Sequence, residues 1–203
     1  MQTLMLAAVA LLSYWTVHID HPKDRAAYEE LDRRFDATIH DFYVANHIDA
    51  PVALRITTDD GRYFGMRPRA TLSDIEKPSA LGPDLSKQLQ AMTAPISAET
   101  HEVLRDHHNE IWKIERTLTT ATEIAPRKYS MLRTDYVAPP KDTQYNAAMQ
   151  QLIRELKGVD VIAFFSVYGD GAYRYLFLSD APIKVRRLKG LAETHDSAAR
   201  PSP

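Results

Sequence analysis

The words PKDRAAY at residues 22–28 and PKDTQY at residues 140–145 decide how this chain is read. Each follows a β-branched, aromatic-rich stretch, residues 14–20 (YWTVHID) and 128–137 (KYSMLRTDYV), whose composition predicts a strand. Each opens an amphipathic segment. Tyr28, Leu31, Phe35, Ile39 and Phe42 mark a helix over about residues 24–46, and Tyr145, Ala148, Met149, Leu152, Ile153 and Leu156 one over residues 141–157. A strand, a turn and a strand then follow each helix. The first set is residues 51–57 (PVALRIT), Asp60-Gly61 and residues 62–67 (RYFGMR). The second is residues 161–168 (VIAFFSVY), Asp170-Gly171 and residues 173–178 (YRYLFL). Asp-Gly between alternating strands is a hairpin signal. Shared order across four elements makes this an internal repeat of β-α-β-β units.

Between the repeats, Leu81, Leu85 and Leu89 mark a short helix that Pro95 should break. Ser97 then reads as the N-cap of a second helix over about residues 98–117, with Glu99 and Glu102 in its first turn. Val103, Leu104, Ile111, Ile114 and Leu118 would form its apolar face, and it would carry His107 and His108. The expected divisions are an apolar N-terminal segment (1–12), a first repeat with the helical insertion (13–118), a linker (119–126), a second repeat (127–190) and a disordered tail (191–203). Within the second repeat, residues 184–189 (KVRRLK) read as a solvated helix or edge strand.

Composition narrows the function. The chain has 203 residues, 44% hydrophobic and 26% charged, enough to bury a core without disulfide or metal staples. A net charge of -2 excludes general electrostatic affinity for nucleic acid. With no cysteine, thiol catalysis, zinc–thiolate sites and iron–sulfur clusters are excluded. Residues 4–12 (LMLAAVALL) are too short for a transmembrane span, which takes about 20 residues. They have the length of a signal-peptide core, and Ala8-Val9-Ala10 fits a cleavage site, although no basic residue precedes them. Export is the expectation, with a cytoplasmic chain as the alternative. GxGxxG, GxxxxGK[ST], HExxH and GxSxG motifs are all missing from the sequence. His18-Ile19-Asp20 and His47-Ile48-Asp49 have the H-x-D spacing of iron ligands, but that site needs a third histidine on a different fold, so no metal is expected.

A β-α-β-β unit followed by a helix is a ferredoxin-like half, and two such halves can bury their bare sheet faces against each other. Over residues 13–190 the chain resembles the dimeric α/β-barrel superfamily in a fused, two-repeat form. The resemblance rests on element order, the two Pro-Lys-Asp helix starts and the Asp-Gly hairpins. It implies an α+β fold in which two ferredoxin-like βαββ repeats form an intramolecular α/β barrel, with an inserted helical pair. It implies a monomer or a homodimer. Members include cofactor-free monooxygenases, haem-degrading monooxygenases, chlorite-dismutase-like haem proteins and secreted proteins without an assigned activity. Two readings follow: an exported protein whose barrel holds a small apolar or carboxylate-bearing ligand, and an oxidoreductase, cofactor-free or haem-dependent, acting in the barrel.

The candidate residues come from facing. On the first strand Trp15, Val17 and Ile19 share one side, and Thr16, His18 and Asp20 the other. If the apolar set meets the helices, His18 points into the barrel, with Tyr136 as its equivalent in the second repeat. Arg55 and Arg133 are charges in strands that should be buried, so each needs an anion, from an internal ion pair or a ligand. His18 and His108 are the candidate bases or haem ligands. Arg55, Arg133, Tyr136, Tyr168 and Tyr173 are the candidate ligand contacts. Convergence of His18, Arg55 and Tyr168 on one cavity would favour a binding or catalytic role. A barrel packed solid with apolar side chains would disfavour it.

Overall fold

Trp15, Val17 and Ile19 alternate with Thr16, His18 and Asp20 along strand β2 (Tyr14–Pro22), and burial follows the alternation as far as Ile19, with Asp20 buried as well. The computed structural model describes residues 9–10, 12–50, 53–76, 81–124, 129–168, 173–183 and 190–201. A two-residue strand, β1 (Val9–Ala10), precedes β2. The chain continues through α1 (Arg25–Ala45), β3 (Leu54–Thr58), β4 (Tyr63–Arg69), α2 (Ser73–Glu76), α3 (Pro83–Val103), β5 (Leu104–Ile114) and β6 (Glu123–Ile124). It ends with β7 (Met131–Val137), α4 (Asp142–Glu155), β8 (Val161–Tyr168), β9 (Tyr173–Ser179) and β10 (Ala192–Pro201).

Eight strands close an antiparallel barrel in the order β10-β3-β4-β2-β5-β8-β9-β7. Each half, β5-β2-β4-β3 and β10-β7-β9-β8, has the ferredoxin-like order, and the halves join through β5–β8 and β10–β3. The interior is filled. Trp15, Val17, Ile19, Leu54, Phe64, Met66, Trp112, Leu132, Ile162, Phe164, Leu176 and Leu178 form one buried cluster drawn from strands all round the barrel. Trp15 meets Phe164 edge-on, with ring centroids 5.8 Å apart. The apolar set on β2 therefore faces inward, and His18 faces outward, toward the helices. This reverses the conditional reading of the sequence. The inward face must be dry on every strand at once, and the apolar set is the one that can be.

Three further expectations are corrected. Pro95 does not end a helix. It forfeits one backbone hydrogen bond inside α3, which continues to Val103 while lying along α1, with Arg34 of α1 paired to Glu99 at 2.8 Å. Residues 104–114 are not helical. They form β5, paired with β2 from Tyr14↔Lys113 to Pro22↔Leu104, so His107 and His108 lie on a strand and point to opposite faces. Residues 192–201 are not a tail. They form β10, paired with β7 and β3, and they complete the barrel. Two of their inward positions, Ser197 and Ala199, are small and two others, Glu193 and His195, are exposed, which is why the segment lacks an apolar alternation.

Gly61, at φ +84°, turns the β3–β4 hairpin in the left-handed region that favours glycine. The Asp170-Gly171 turn, residues 184–189 and most of the apolar N-terminal run lie outside the described residues. Val9 and Ala10 pair with Ile124 and Glu123, so that end of the run and the expected linker have a structural partner. Among the described residues no helix is long and apolar enough to cross a membrane.

Candidate functional site

A cavity of ≈ 480 Å³ lies between the outer face of the first half's sheet and the helices α1 and α3. Pairing across β4, β2 and β5 lays out its floor as rows. Arg69, Tyr14 and Lys113 form one row; Arg67, Thr16 and Ile111 the next; then Gly65, His18 and Asn109; then Tyr63, Asp20 and His107. From above come Asp32 and Phe35 of α1, Ile75 of α2, and Ser97, Thr100 and His101 of α3. Tyr168, at the end of β8 and 69% exposed, stands at the rim. His18, Arg55 and Tyr168 therefore line one cavity, although the barrel interior is solid. Both outcomes posed by the sequence occur, because the cavity is outside the barrel.

Asp20 is the electrostatic centre of the floor. It is buried, and Tyr28 of α1 donates to its Oδ2 at 2.5 Å, while Nδ1 of His107 bonds its Oδ1. Burial, and then the carboxylate of Asp20, push the Tyr28 phenol far above its ordinary range, so it stays a donor. A carboxylate at Nδ1 makes that nitrogen a donor, so in the neutral ring Nε2 of His107 is the acceptor, with the Asn109 amide 3.4 Å away. His107 is followed on the wall by His101, ring centroids 5.6 Å apart. His18 is different. Its ring lies against Gly65, where a Cβ would come within 2.3 Å of Nε2. Burial holds its pKa below the ordinary value; Asp20 opposes the shift, and Arg67 and Arg55 add to it.

The charged wall divides in two. Arg55 is paired by Nη1 to Asp32 and by Nη2 to Asp36, both from α1. Arg67 and Arg69, on the outer row of β4, have no carboxylate partner among the described residues. Nε of Arg69 is buried without a hydrogen-bond partner among the described residues.

The remaining sequence candidates go elsewhere. His108 faces the inner side of β5, 3.4 Å from the buried Glu110, and is not on the cavity wall. Arg133 is buried in the second half, with Nε 2.9 Å from Asp135 Oδ1, so its anion is internal. Tyr136 is not the counterpart of His18. Pairing with β9 and β10 puts Asp135 in the place of Asp20 and Arg133 in that of His18, and Tyr136 lies on the other face against His195. The backbone of Tyr173 pairs with Val137, and its side chain lies outside what is described. Sequence reasoning missed His107, Asp20 and Arg67. Arg67 was legible: in RYFGMRPR it alternates with Phe64 and Met66 and so faces away from the core.

The fold and site together define an α+β barrel of ferredoxin-like halves with a cavity between one half's sheet and its helices. No family model matches the chain, and no curated protein sequence matches it. Solved structures do. The chain is similar to an anthrone oxidase-like protein (12% identity, TM-score 0.57, covering 93% of this chain and 91% of that one). It is also similar to a candidate monooxygenase from Lactobacillus acidophilus NCFM (9% identity, TM-score 0.51, 94% and 95%). A mutant chlorite dismutase from Candidatus Nitrospira defluvii aligns at 12% identity and TM-score 0.51, over 94% and 91%. At these identities the likeness is one of fold.

Proposed function

We propose that this chain binds a small, mostly apolar organic molecule in the cavity between the first-half sheet and α1 and α3, and that His107 accepts a proton from it. The observation that carries this is the Asp20–His107 pair on the wall of a ≈ 480 Å³ cavity. A volume of that order suits a small organic ligand. Proton transfer from a bound hydroxyl or acidic C–H to Nε2 would leave an imidazolium facing Asp20 and a ligand anion. Such an electron-rich anion is the form of an organic molecule most open to oxidation, so the reading fits a monooxygenase-like reaction. The matching strand order of the two halves supports the fused, two-repeat form of the superfamily.

A second reading has one observation in its favour. A histidine whose Nδ1–H is held by a carboxylate is also an oriented metal ligand. Haem, which would supply redox chemistry, finds that donor in His107 and not in His18, whose Nε2 abuts Gly65.

The test uses 4-nitrophenol, whose phenolate is coloured. At slightly acid pH the wild-type chain should bind it with a larger phenolate fraction than free solution shows, and His107→Gln should bind it without that excess. Binding with no phenolate excess in the wild type would remove His107 as a base. A Soret band in the purified protein, lost in His107→Ala, would support haem instead.

A further inference from the structure

We propose that the row of Arg67 and Arg69 is an anion subsite, and that the ligand is an elongated amphiphile carrying a carboxylate, sulfonate or phosphate remote from the end that meets His107. The proposal deepens the ligand reading above and rests on it.

Three arginines approach one side of the cavity, and they differ in how they are neutralised. Arg55 takes both available carboxylates of α1, Asp32 and Asp36. Arg67 is left half-buried between Arg55 and Arg69; Asp36 acts on it through space, but no carboxylate forms an ion pair with it among the described residues. Among the described residues Arg69 makes a 3.4 Å contact to the carbonyl of Pro68, and its buried Nε has no hydrogen-bond partner. Holding a guanidinium out of water beside two like charges is unfavourable in the empty protein. A ligand anion removes that penalty, and the guanidinium fork fits carboxylate, sulfonate or phosphate oxygens in pairs. In the second half, whose layer is filled, the position matching Arg67 is Ser179, a neutral residue bonded to the Ala181 carbonyl at 2.7 Å. At this sheet position, among the described residues, the first half holds a cation without an ion pair and the second a neutral side chain.

The floor gives the ligand its shape. Arg67 and His107 stand at opposite corners, two strands and four residues apart. That is roughly 10 Å across the sheet and 13 Å along it. Thr16, Ile111 and Leu104 provide the surface between and beside them. A molecule reaching both corners holds its charge at one end and its proton-donating group at the other, with an apolar body between.

The test compares two probes that share an apolar body: 8-anilinonaphthalene-1-sulfonate, and N-phenyl-1-naphthylamine, which lacks the sulfonate. Fluorescence titrations are run on the full chain, on Arg67→Met and on Arg33→Met, an exposed control. The sulfonate should bind the wild type more tightly. Arg67→Met should weaken it about ten- to a hundredfold, the range of one charge-assisted hydrogen-bonded contact, and leave the neutral probe unchanged. Arg33→Met should alter neither. Thermal unfolding adds an independent readout: without ligand, Arg67→Met should melt at the same temperature or higher, because it removes an unpaired cation. A lower melting temperature would make Arg67 structural and overturn the proposal. Equal binding of both probes, indifferent to Arg67→Met, would overturn the anion subsite and leave the cavity as a ligand site. Binding of neither probe would overturn the cavity reading and this one with it.

Discussion

In the first half of the barrel the layer between helix and sheet is polar and hollow; in the second the corresponding layer is filled, mostly by apolar side chains around the buried Arg133–Asp135 pair. The strand pairings make the comparison residue by residue. Asp20 and Asp135 are equivalent, and each accepts a hydrogen bond from a helix tyrosine, Tyr28 at 2.5 Å and Tyr145 at 2.6 Å. Around that shared contact the two halves diverge. His18, Gly65 and Arg55 in the first half correspond to Arg133, Phe177 and Ala163 in the second. Counting from the tyrosines, Asp32 and Asp36 of α1 correspond to Met149 and Ile153 of α4. Apart from Arg133, which bonds Asp135, the second-half set packs into one cluster with Tyr145, Tyr175 and Val161. The comparison teaches that the strand–helix contact needs only Asp and Tyr. The rest of the layer is free to be core or site.

The sharpest way to break this comparison is through the two arginines. The Arg133 side chain is 4% exposed and bonds Asp135, Thr194 and the Ile183 carbonyl. Replacing it with methionine leaves Asp135 charged and buried, which should cost about 3–5 kcal/mol. The Arg55 side chain is 20% exposed, and its partners Asp32 and Asp36 are 23% and 45% exposed. Water can take over there, so Arg55→Met should cost roughly 1 kcal/mol or less. Urea unfolding of the two variants measures both. Equal losses would mean that the first half is as sealed as the second.

The next effect concerns Gly65, where the second half has Phe177. A Cβ on Gly65 meets the His18 ring at 2.3–2.9 Å. Gly65→Ala should therefore destabilise by about 1–3 kcal/mol, the usual range for overpacking. In a His18→Ser background the same substitution should cost far less, because the obstacle is one side chain and not backbone. A double-mutant cycle reads the coupling directly. If the cost of Gly65→Ala were the same in both backgrounds, His18 would not be what the glycine accommodates.

Much of this was legible before any coordinates. The α+β strand order, the alternation along β2 and the Asp60-Gly61 hairpin follow from local patterns that the barrel reinforces, whereas the side of β2 that faces inward did not. The paired PKD words also located Tyr28 and Tyr145, the residues that bind the strand aspartates. Two elements were not legible, for different reasons. Val103, Leu104, Ile111 and Ile114 satisfy helical spacing, but β2 needs a hydrogen-bonding neighbour along its whole length, and residues 104–114 supply it. Residues 192–201 carry no apolar signal, because where β10 closes the barrel its inward face is small at Ser197 and Ala199 and exposed at Glu193 and His195. The site suffered from the first error. With His107 and His108 on a helix, both bordered its apolar face and the choice fell on His108. On a strand their sides are opposite, and only His107 reaches Asp20.

The smallest effect sharpens the comparison through pH. His18 occupies the place that the permanently charged Arg133 fills in the second half, yet burial keeps it neutral near neutral pH, with its pKa held below 6.5. The unfolded chain protonates this histidine more readily than the folded one, so the unfolded state binds more protons as pH falls through that value. Stability should therefore fall as pH drops below about 6.5, by less than about 1 kcal/mol at pH 6 from this group alone. Asp20, Arg55, Arg67 and His107 all face His18, so the slope must be assigned by substitution. His18→Gln should flatten that part of the stability–pH curve while leaving the Asp20–His107 contact in place. A slope unchanged in His18→Gln would show that the first half can hold a charge where the second holds Arg133, and the contrast between the two layers would then rest on volume and not on polarity.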